Sequence, residues 1–168
     1  MTYSPAQIKL HWASAGLVLV LAGTGLAYSF DLADRGALRF HQVLGQFLVI
    51  LLIARIGYRL TRPAPAPHPD HSRAERALAY TVHIGLYLCL IAFSVTGYVS
   101  ASALGNNAML FPVDRGFARS DFGELLLEIH FALKWVLLAL FTLHILGALK
   151  HAFWDRDRTL ARMLSSTQ

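Results

Sequence analysis

The chain has 168 residues, of which 55% are hydrophobic and only 15% are charged. Ordinary soluble domains carry charges on about a quarter of their residues, so the composition excludes that class and predicts a membrane protein of one domain. The net charge of +5 does not indicate nucleic-acid binding, because the basic residues flank apolar spans and form no soluble basic face. Cys89 is the only cysteine, which excludes an intrachain disulfide and a cysteine-rich metal site.

Four apolar segments are predicted to cross a membrane as helices, although the uncharged middle of the second, residues 42–54, is shorter than the roughly 20 residues that a lipid-exposed span needs. The ends of that segment are therefore expected to meet protein, cofactor or headgroups. The four segments cover residues 8–30, 40–59, 77–101 and 125–150. The predicted fold class is therefore all-α, an integral membrane four-helix transmembrane bundle. A lysine precedes the first span, but no clear cleavage site follows it. We therefore expect this span to be retained and not removed as a signal peptide.

The connections between the spans predict the topology. Residues 61–69 are rich in proline and predict an exposed connector, and residues 102–123 predict a loop with a short surface helix. Four spans place both termini and the connector on one side, and that side has more basic residues near the span ends. They are Lys9, Arg55, Arg59, Arg62, Arg73, Arg76, Lys150, Arg156, Arg158 and Arg162, against Arg35, Arg39, Arg115 and Arg119 on the other side. The positive-inside rule then predicts that both termini are cytoplasmic.

Histidines lie near the ends of these spans, where hydrocarbon offers an imidazole no partner. His130 and His144 are fourteen residues apart, which brings them to nearly the same helix face at about 100° per residue. From the span midpoints, His11 and His144 lie about 13 and 12 Å toward the cytoplasm, whereas His41 and His130 lie about 12 and 9 Å toward the outside. His83, about 8 Å toward the cytoplasm, matches less well. Four histidines therefore form two pairs at matching depths.

Two facing imidazoles at each of two levels suit a bundle that holds two stacked haems. Such ligation leaves no iron position open, so it favours electron transfer over O2 activation. The chain has no C-x-x-C-H motif, so the haems would be b-type, held by their ligands alone. Zinc needs about four ligands around one point, and the two levels are more than about 15 Å apart. The alternative role for these histidines is a proton relay or interhelical hydrogen bonding.

Several glycines in the spans allow another group, a porphyrin or a neighbouring helix, to approach the helix backbone closely. They either admit flat porphyrin faces or serve the ordinary close packing of membrane helices. They are Gly16, Gly23, Gly25, Gly45 and Gly97.

A set of motifs covers essentially the whole chain. They are His11-Trp12 at the start of the first span, His41 at the head of the second, His83-x-x-x-Tyr87 in the third, His130 and His144 in the fourth, and the tail HAFWDRDRTLARM. In combination they resemble the prokaryotic cytochrome b561 family. The resemblance implies a small dihaem protein of the bacterial inner membrane, with His11 and His144 as ligands of one haem and His41 and His130 as ligands of the other. It also implies superoxide oxidase activity, in which electrons from superoxide pass through both haems to ubiquinone.

Other polar residues near the cytoplasmic ends are candidates for cofactor and quinone contacts. Arg55 and Arg59 either bind haem propionates or extend to lipid headgroups. His83, His151, Trp154 and Arg55 are candidates for a quinone site. For His83 the alternatives are a proton carrier or a packed histidine, and for Trp154 an ordinary interfacial aromatic residue.

Lys134 lies one turn deeper than His130, on nearly the same helix face. A buried ammonium group needs an anion. The candidates are a propionate of the outer haem, Glu128 or a substrate anion, and a cation there would attract superoxide. Propionate pairing and substrate attraction both stay open.

The sequence leaves two other functions to be distinguished. The first is a cytochrome b subunit of a dehydrogenase or hydrogenase complex that exchanges electrons with quinone. The second is a haem-free transporter whose histidines relay protons. The short loops favour a free-standing protein in contact with lipid and quinone, with no obligatory protein partner and no nucleic acid.

Overall fold

The computed structural model describes residues 3–104, 111 and 113–164. Its α-helices are α1 (Pro5–Ser29), α2 (Arg35–Thr61), α3 (Arg73–Ala103), α4 (Arg115–Ala118) and α5 (Asp121–Leu149). A π-helical turn, Lys150–Trp154, continues α5, and a short 3-10 turn, Ala161–Met163, follows. The described residues contain no β-strand. The all-α prediction is confirmed.

Polar side chains fix where the long helices begin, and each helix begins before its apolar span. Ser4 and Ser72 each form a capping box, with Gln7 and Glu75 respectively. Asp34 accepts hydrogen bonds from the first backbone N–H groups of α2, and Ser120 caps α5 in the same way. Such caps satisfy backbone donors that have no partner within the helix. The helices therefore extend beyond the predicted spans by several residues.

The four long helices present apolar side chains outward. Among the described residues, four helices are long and apolar enough to cross a membrane. Large side chains such as Ile53, Leu88 and Leu138 are 50% to 67% exposed on the bundle surface. In water so much exposed apolar area would favour aggregation, whereas in a bilayer it faces lipid. The chain is a multi-pass membrane protein.

The buried core lies in the middle of the bundle. Helix α1 packs against α2, α2 against α3, and α3 against α5. The core cluster contains Val18, Leu21, Leu48, Leu52 and Leu90, with Leu137 of α5 packed against it. Along each helix these residues lie between the two levels of histidines. An apolar layer therefore separates two polar regions of the bundle.

The N-terminal segment, the connector and the tail meet at one end of the bundle. We define the connector as residues 62–72 and the tail as residues 155–164. Gln7 donates to the carbonyl of Arg62, Arg162 donates to the carbonyl of Ala66, and the Trp12 indole donates to the carbonyl of Met163 at 2.6 Å. This end is called the tail end below. An even number of spans places both termini and the connector on the same side, as these contacts show.

The predicted loop after the third span contains α4, as expected of a short surface helix. Asp114 caps α4 by accepting from the backbone N–H of Phe117. Residues 105–110 and 112 of this loop lie outside the described residues. Helix α4 contacts α3 and α5, and Arg119 donates to the carbonyl of Ala103 at the end of α3. This end of the bundle, opposite the tail end, is called the loop end below.

Candidate functional site

His41 and His130 face each other in the half of the bundle near the loop end. His41 extends from α2 and His130 from α5, and their ring centroids lie 6.3 Å apart with the rings perpendicular. Both side chains are half-buried. The structure thus brings together two of the histidines that the sequence matched by depth.

Hydrogen bonds fix the orientation of these two rings. We call His41 and His130 the outer pair, after the side of the membrane on which the sequence predicts them. Nδ1 of His41 lies 3.0 Å from the carbonyl oxygen of Leu21 and 3.1 Å from Oγ1 of Thr24. Nδ1 of His130 lies 3.0 Å from Oγ1 of Thr96. Each threonine hydroxyl donates to a carbonyl of its own helix, so it accepts from the imidazole. Each Nδ1 is therefore a donor, which leaves the Nε2 lone pair of both rings available to a metal.

Two glycines lie against these rings. A Cβ atom on Gly25 would be 3.0 Å from Cε1 of His41, and a Cβ atom on Gly97 would be 2.8 Å from Cε1 of His130. Real Cβ atoms essentially never approach another atom within 3.0 Å. These two of the five glycines therefore make room for the histidines themselves, while Gly16, Gly23 and Gly45 face open space.

A cavity of about 540 Å³ surrounds the outer pair. Most of its lining is apolar, and both histidines, Gly25 and Gly97 take part in it. Apolar cavities of roughly 300–1,000 Å³ with a few placed polar groups are typical of cofactor sites. The cavity therefore suits a large, flat, mainly apolar group held between two imidazoles.

Lys134 lines the same cavity from α5. Its Nζ donates to Oγ of Ser29 at 3.2 Å and lies 5.6 Å from the ring centroids of Phe30 and Trp135. In the described part of the chain no carboxylate forms an ion pair with it, so Glu128 is not its partner. The ammonium group is thus held by one hydroxyl and by aromatic faces, and its positive charge is open to an anion in the cavity.

A second group of histidines lies nearer the tail end. We call His11 and His144 the inner pair, after the cytoplasmic side on which the sequence predicts them. The ring centroids of His11 and His144 are 6.1 Å apart, with an interplanar angle of 53°. His83 also approaches His144, with centroids 5.1 Å apart and the rings perpendicular. Nδ1 of His83 is bound to the carbonyl of Ala79 in its own helix. The structure brings His83 closer to the inner pair than its depth alone suggested.

Arg55 contacts the inner pair directly. Its Nη2 lies 2.9 Å from Nδ1 of His11, and its guanidinium lies 5.4 Å from the centroid of the Tyr87 ring. A guanidinium only donates, so Nδ1 of His11 accepts, and a neutral His11 then carries its proton on Nε2. Arg59, one turn further along α2, is exposed.

Both histidine pairs have the spacing of two ligands on one metal ion. A metal–imidazole bond is about 2 Å long and the ring centroid lies roughly 1 Å further, so ligands on opposite sides of one ion have centroids about 6 Å apart. The observed separations are 6.3 Å and 6.1 Å. Four imidazoles, an apolar cavity and two levels fit a pair of haems better than a compact metal cluster.

His151 and Trp154 lie in the π-helical turn at the tail end, but they point to different surroundings. The His151 ring stacks on His71 of the connector, with centroids 4.2 Å apart. Trp154 is 85% exposed. A pocket lined by both residues was predicted, and only His151 faces the interior of the tail end.

Sequence reasoning missed several residues of the site. Thr24 and Thr96 orient the outer histidines, but hydroxyl residues are common in membrane helices and nothing in their spacing marks them. Arg39, named above only among the basic residues that predict the topology, lines the outer cavity. His71 was missed because it lies in the proline-rich connector, which has no periodicity from which the position of a side chain can be predicted.

Comparisons with known proteins show the family to which the chain belongs. A family model described as prokaryotic cytochrome b561 matches residues 2–166. The chain is 33% identical over 178 residues to cytochrome b561 homolog 2 of Escherichia coli (strain K12), covering 98% of this chain and 92% of that protein. It is 28% identical over 169 residues to the probable superoxide oxidase CybB of Yersinia pestis, covering 96% and 95%. This chain, a multi-pass membrane protein of the electron-transferring, b-type haem class, belongs to the prokaryotic cytochrome b561 family.

Proposed function

We propose that this protein is a dihaem membrane cytochrome b that takes electrons from superoxide at the outer face and delivers them to ubiquinone near the cytoplasmic face. His41 and His130 would hold the outer haem, and His11 and His144 would hold the inner one. The observation that carries the proposal is the pair of facing imidazoles at each of two levels, 6.3 Å and 6.1 Å between ring centroids.

A b-type haem supplies one-electron redox chemistry, and two imidazole ligands close its iron to oxygen. The chain's own residues position and insulate this chemistry. Leu21, Thr24 and Thr96 bind Nδ1 of the outer histidines and so fix their tautomers. The buried residues of the apolar core between the two levels, Val18, Leu21, Leu48, Leu52 and Leu90, have no side-chain group that could carry a proton.

Superoxide oxidation at the outer face is supported by the charge at the outer cavity. Lys134 lines the cavity beside His130, and Arg39 lines it from α2. Fixed cations raise the local concentration of an anionic substrate. Superoxide then gives up one electron and leaves as O2. The relative of Yersinia pestis is described as a probable superoxide oxidase, which supports superoxide as the substrate proposed for this chain.

Ubiquinone reduction is assigned to the tail end. Two electrons, one from each of two superoxide ions, and two cytoplasmic protons convert ubiquinone to ubiquinol. His83 and Arg55 adjoin the inner pair, and His151 and Trp154 lie in the π-helical turn that continues α5. In this proposal His83 and His151 bind the quinone oxygens and pass protons to them, while Arg55 borders the ring; the exposed Trp154 is left as an ordinary interfacial aromatic residue.

The proposed location is the bacterial inner membrane with both termini in the cytoplasm. The contacts that join the N-terminal segment, connector and tail gather the basic residues of these segments at one end. A basic end of this kind stays on the cytoplasmic side. Superoxide would then be met at the periplasmic face.

The deciding experiment uses the purified protein in detergent. A reduced-minus-oxidised spectrum should show a b-type signal of about two haems per chain by the ligand count. The same preparation, given a superoxide source and ubiquinone, should consume superoxide and form quinol at a ratio of about two to one by electron balance. Boiled protein is the control.

The outcomes separate the alternatives. Two haems without superoxide consumption above the boiled control would favour a cytochrome b subunit that takes electrons from a partner. Absence of any b-type signal would favour a haem-free proton relay.

A further inference from the structure

Three potential metal ligands converge at the tail end, below the inner histidines. His71 comes from the connector, His151 from the π-helical turn, and Asp157 from the tail. One ligand atom from each lies within 4.8 Å of the other two. His151 and Asp157 are six residues apart, but His71 is 80 residues from His151, so only the folded chain brings His71 to the other two.

The distances within this cluster, called the tail cluster below, are short. Nε2 of His71 lies 2.8 Å from Oδ2 of Asp157, and Nδ1 of His151 lies 3.0 Å from the same oxygen. The side chains are 12%, 13% and 7% exposed for His71, His151 and Asp157. One carboxylate oxygen therefore stands between two imidazole nitrogens in a largely enclosed position.

Ordinary hydrogen bonding leaves part of this cluster unsatisfied. Nδ1 of His151 is buried and has no hydrogen bond of acceptable geometry with any described residue, although carboxylate oxygens of Asp155 and Asp157 are near it. Buried polar atoms are rarely left without a partner. Asp157 Oδ2, in contact with both imidazoles, and the unpartnered Nδ1 of His151 are therefore placed together with no hydrogen-bond network that accounts for all of them.

We propose that the tail cluster binds one divalent cation of the zinc class through His71, His151 and Asp157. Two imidazoles and one carboxylate are ligands that zinc commonly takes, with a fourth position left to water. Magnesium and calcium prefer sites made almost wholly of oxygen ligands. Imidazole ligands favour zinc, copper and nickel over both.

The distances between the three ligand atoms are close to those around a bound zinc ion, so the side chains need to move only slightly to admit an ion. At tetrahedral geometry, two ligand atoms each about 2 Å from zinc lie about 3.3 Å apart. The observed contacts of 2.8 Å and 3.0 Å are slightly shorter. The stacked rings of His71 and His151 must tilt apart, and His71 must release the proton that it shares with Asp157.

This site goes beyond the proposed electron transfer and does not rest on it. A bound ion would tie the connector, the end of α5 and the tail together at one point. It would also occupy His151, which the proposed quinone site uses. Zinc is therefore expected to slow quinone reduction while leaving both haems reducible from the outer face.

The test measures Zn²⁺ binding by the purified holoprotein in detergent, by titration calorimetry in a buffer without chelator. One Zn²⁺ per chain with a micromolar or lower dissociation constant is expected. His71→Ala and Asp157→Asn should each weaken binding at least about tenfold, since each removes one of three protein ligands. Retained haem spectra show that each variant is folded.

His68→Ala is the matched control. The His68 ring lies 5.6 Å from that of His71 on the same connector, but His68 is not one of the three ligands. Binding should stay within about twofold of the original protein, because a neighbouring imidazole that is not a ligand adds little. Tryptic cleavage after Arg156 and Arg158, which flank Asp157, should slow when Zn²⁺ is bound.

Three outcomes would overturn the proposal. One is Zn²⁺ binding no tighter than that of a His71→Ala, Asp157→Asn double variant. Another is equal loss of binding in His68→Ala and His71→Ala, which would mean a diffuse histidine-rich surface. A third is Mg²⁺ competing with Zn²⁺ at equal concentration. Failure of superoxide oxidation leaves these binding results unaffected, so the two proposals are tested separately.

Discussion

Nη2 of Arg55 lies 2.9 Å from Nδ1 of His11. A permanent cation therefore contacts Nδ1 of a proposed haem ligand, the ring nitrogen that would not bind the iron. The guanidinium can only donate, so this contact requires His11 to accept at Nδ1. An imidazole that accepts at Nδ1 carries its proton at Nε2 and has no lone pair there for a metal. Ligation through Nε2 of His11 therefore requires Arg55 to turn to another acceptor, for which a propionate of the same haem is the proposed partner.

Replacing Arg55 by Leu tests this relationship. A cation beside a haem stabilises the reduced state, which carries one positive charge fewer. Arg55→Leu should therefore lower the midpoint potential of one of the two haems by on the order of 50 mV. Redox titration followed by visible absorption measures the shift. Arg59→Leu is the matched control, because Arg59 lies one turn away and is exposed. It should shift neither haem potential by more than a small fraction of the shift in Arg55→Leu. Equal shifts in both variants would mean a general surface-charge effect.

The sequence predicted the helices and the two histidine pairs because both depend on one-dimensional quantities. Apolar length predicts spans, and residue counts along straight helices predict depth. His41 and His130 are together for this reason. Depth does not predict how a helix is rotated about its axis, which is why the contact between His83 and His144 was not foreseen.

Other parts of the site depend on contacts that no spacing encodes. Lys134 was expected to need an anion, and the structure gives it Ser29 and aromatic rings from two helices. His71 and Asp157 are brought together by a proline-rich connector and an irregular tail. Neither segment has a period from which the position of a side chain can be calculated. Such contacts follow only from the packed three-dimensional fold.

Removing one ligand should distinguish the two haem sites. His130→Ala should remove chiefly the outer haem and His144→Ala chiefly the inner one, because each residue serves only one pair. Each variant should keep roughly half of the b-type absorbance of the original protein. The pyridine haemochrome assay and redox titration measure occupancy and show which potential is lost. Equal retention of both haems in either variant would refute the ligand assignment.

Gly97→Ala should disturb the outer haem through His130 alone. The added Cβ would lie 2.8 Å from Cε1 of the His130 ring, so the ring must move by a few tenths of an ångström out of its hydrogen bond with Thr96. We expect reduced occupancy of the outer haem, measured by absorbance, and an unchanged inner potential.

Gly57→Ala is the control for Gly97→Ala. A Cβ on Gly57 meets no atom within 4 Å, and alanine in place of glycine stabilises a helix by about 0.5–1 kcal/mol. This variant should keep both haems and unfold at the same or a slightly higher temperature. Loss of haem in both variants would mean that any added methyl group on these helices disrupts the bundle.

Lys134→Met distinguishes the two roles left open for this residue. If Lys134 attracts superoxide, the second-order rate constant for superoxide consumption should fall about three- to tenfold at low ionic strength. The loss should shrink in high salt, where charges are screened within about 3 Å at 1 M. If Lys134 instead pairs with a propionate, the midpoint potential of the outer haem should fall while the salt dependence of the rate stays as it was.

Arg119→Met is the matched control on the same side, since the Arg119 side chain is bound to the carbonyl of Ala103. A fall in rate as large in Arg119→Met as in Lys134→Met would indicate a broad field of positive charge and not a local site beside the outer haem.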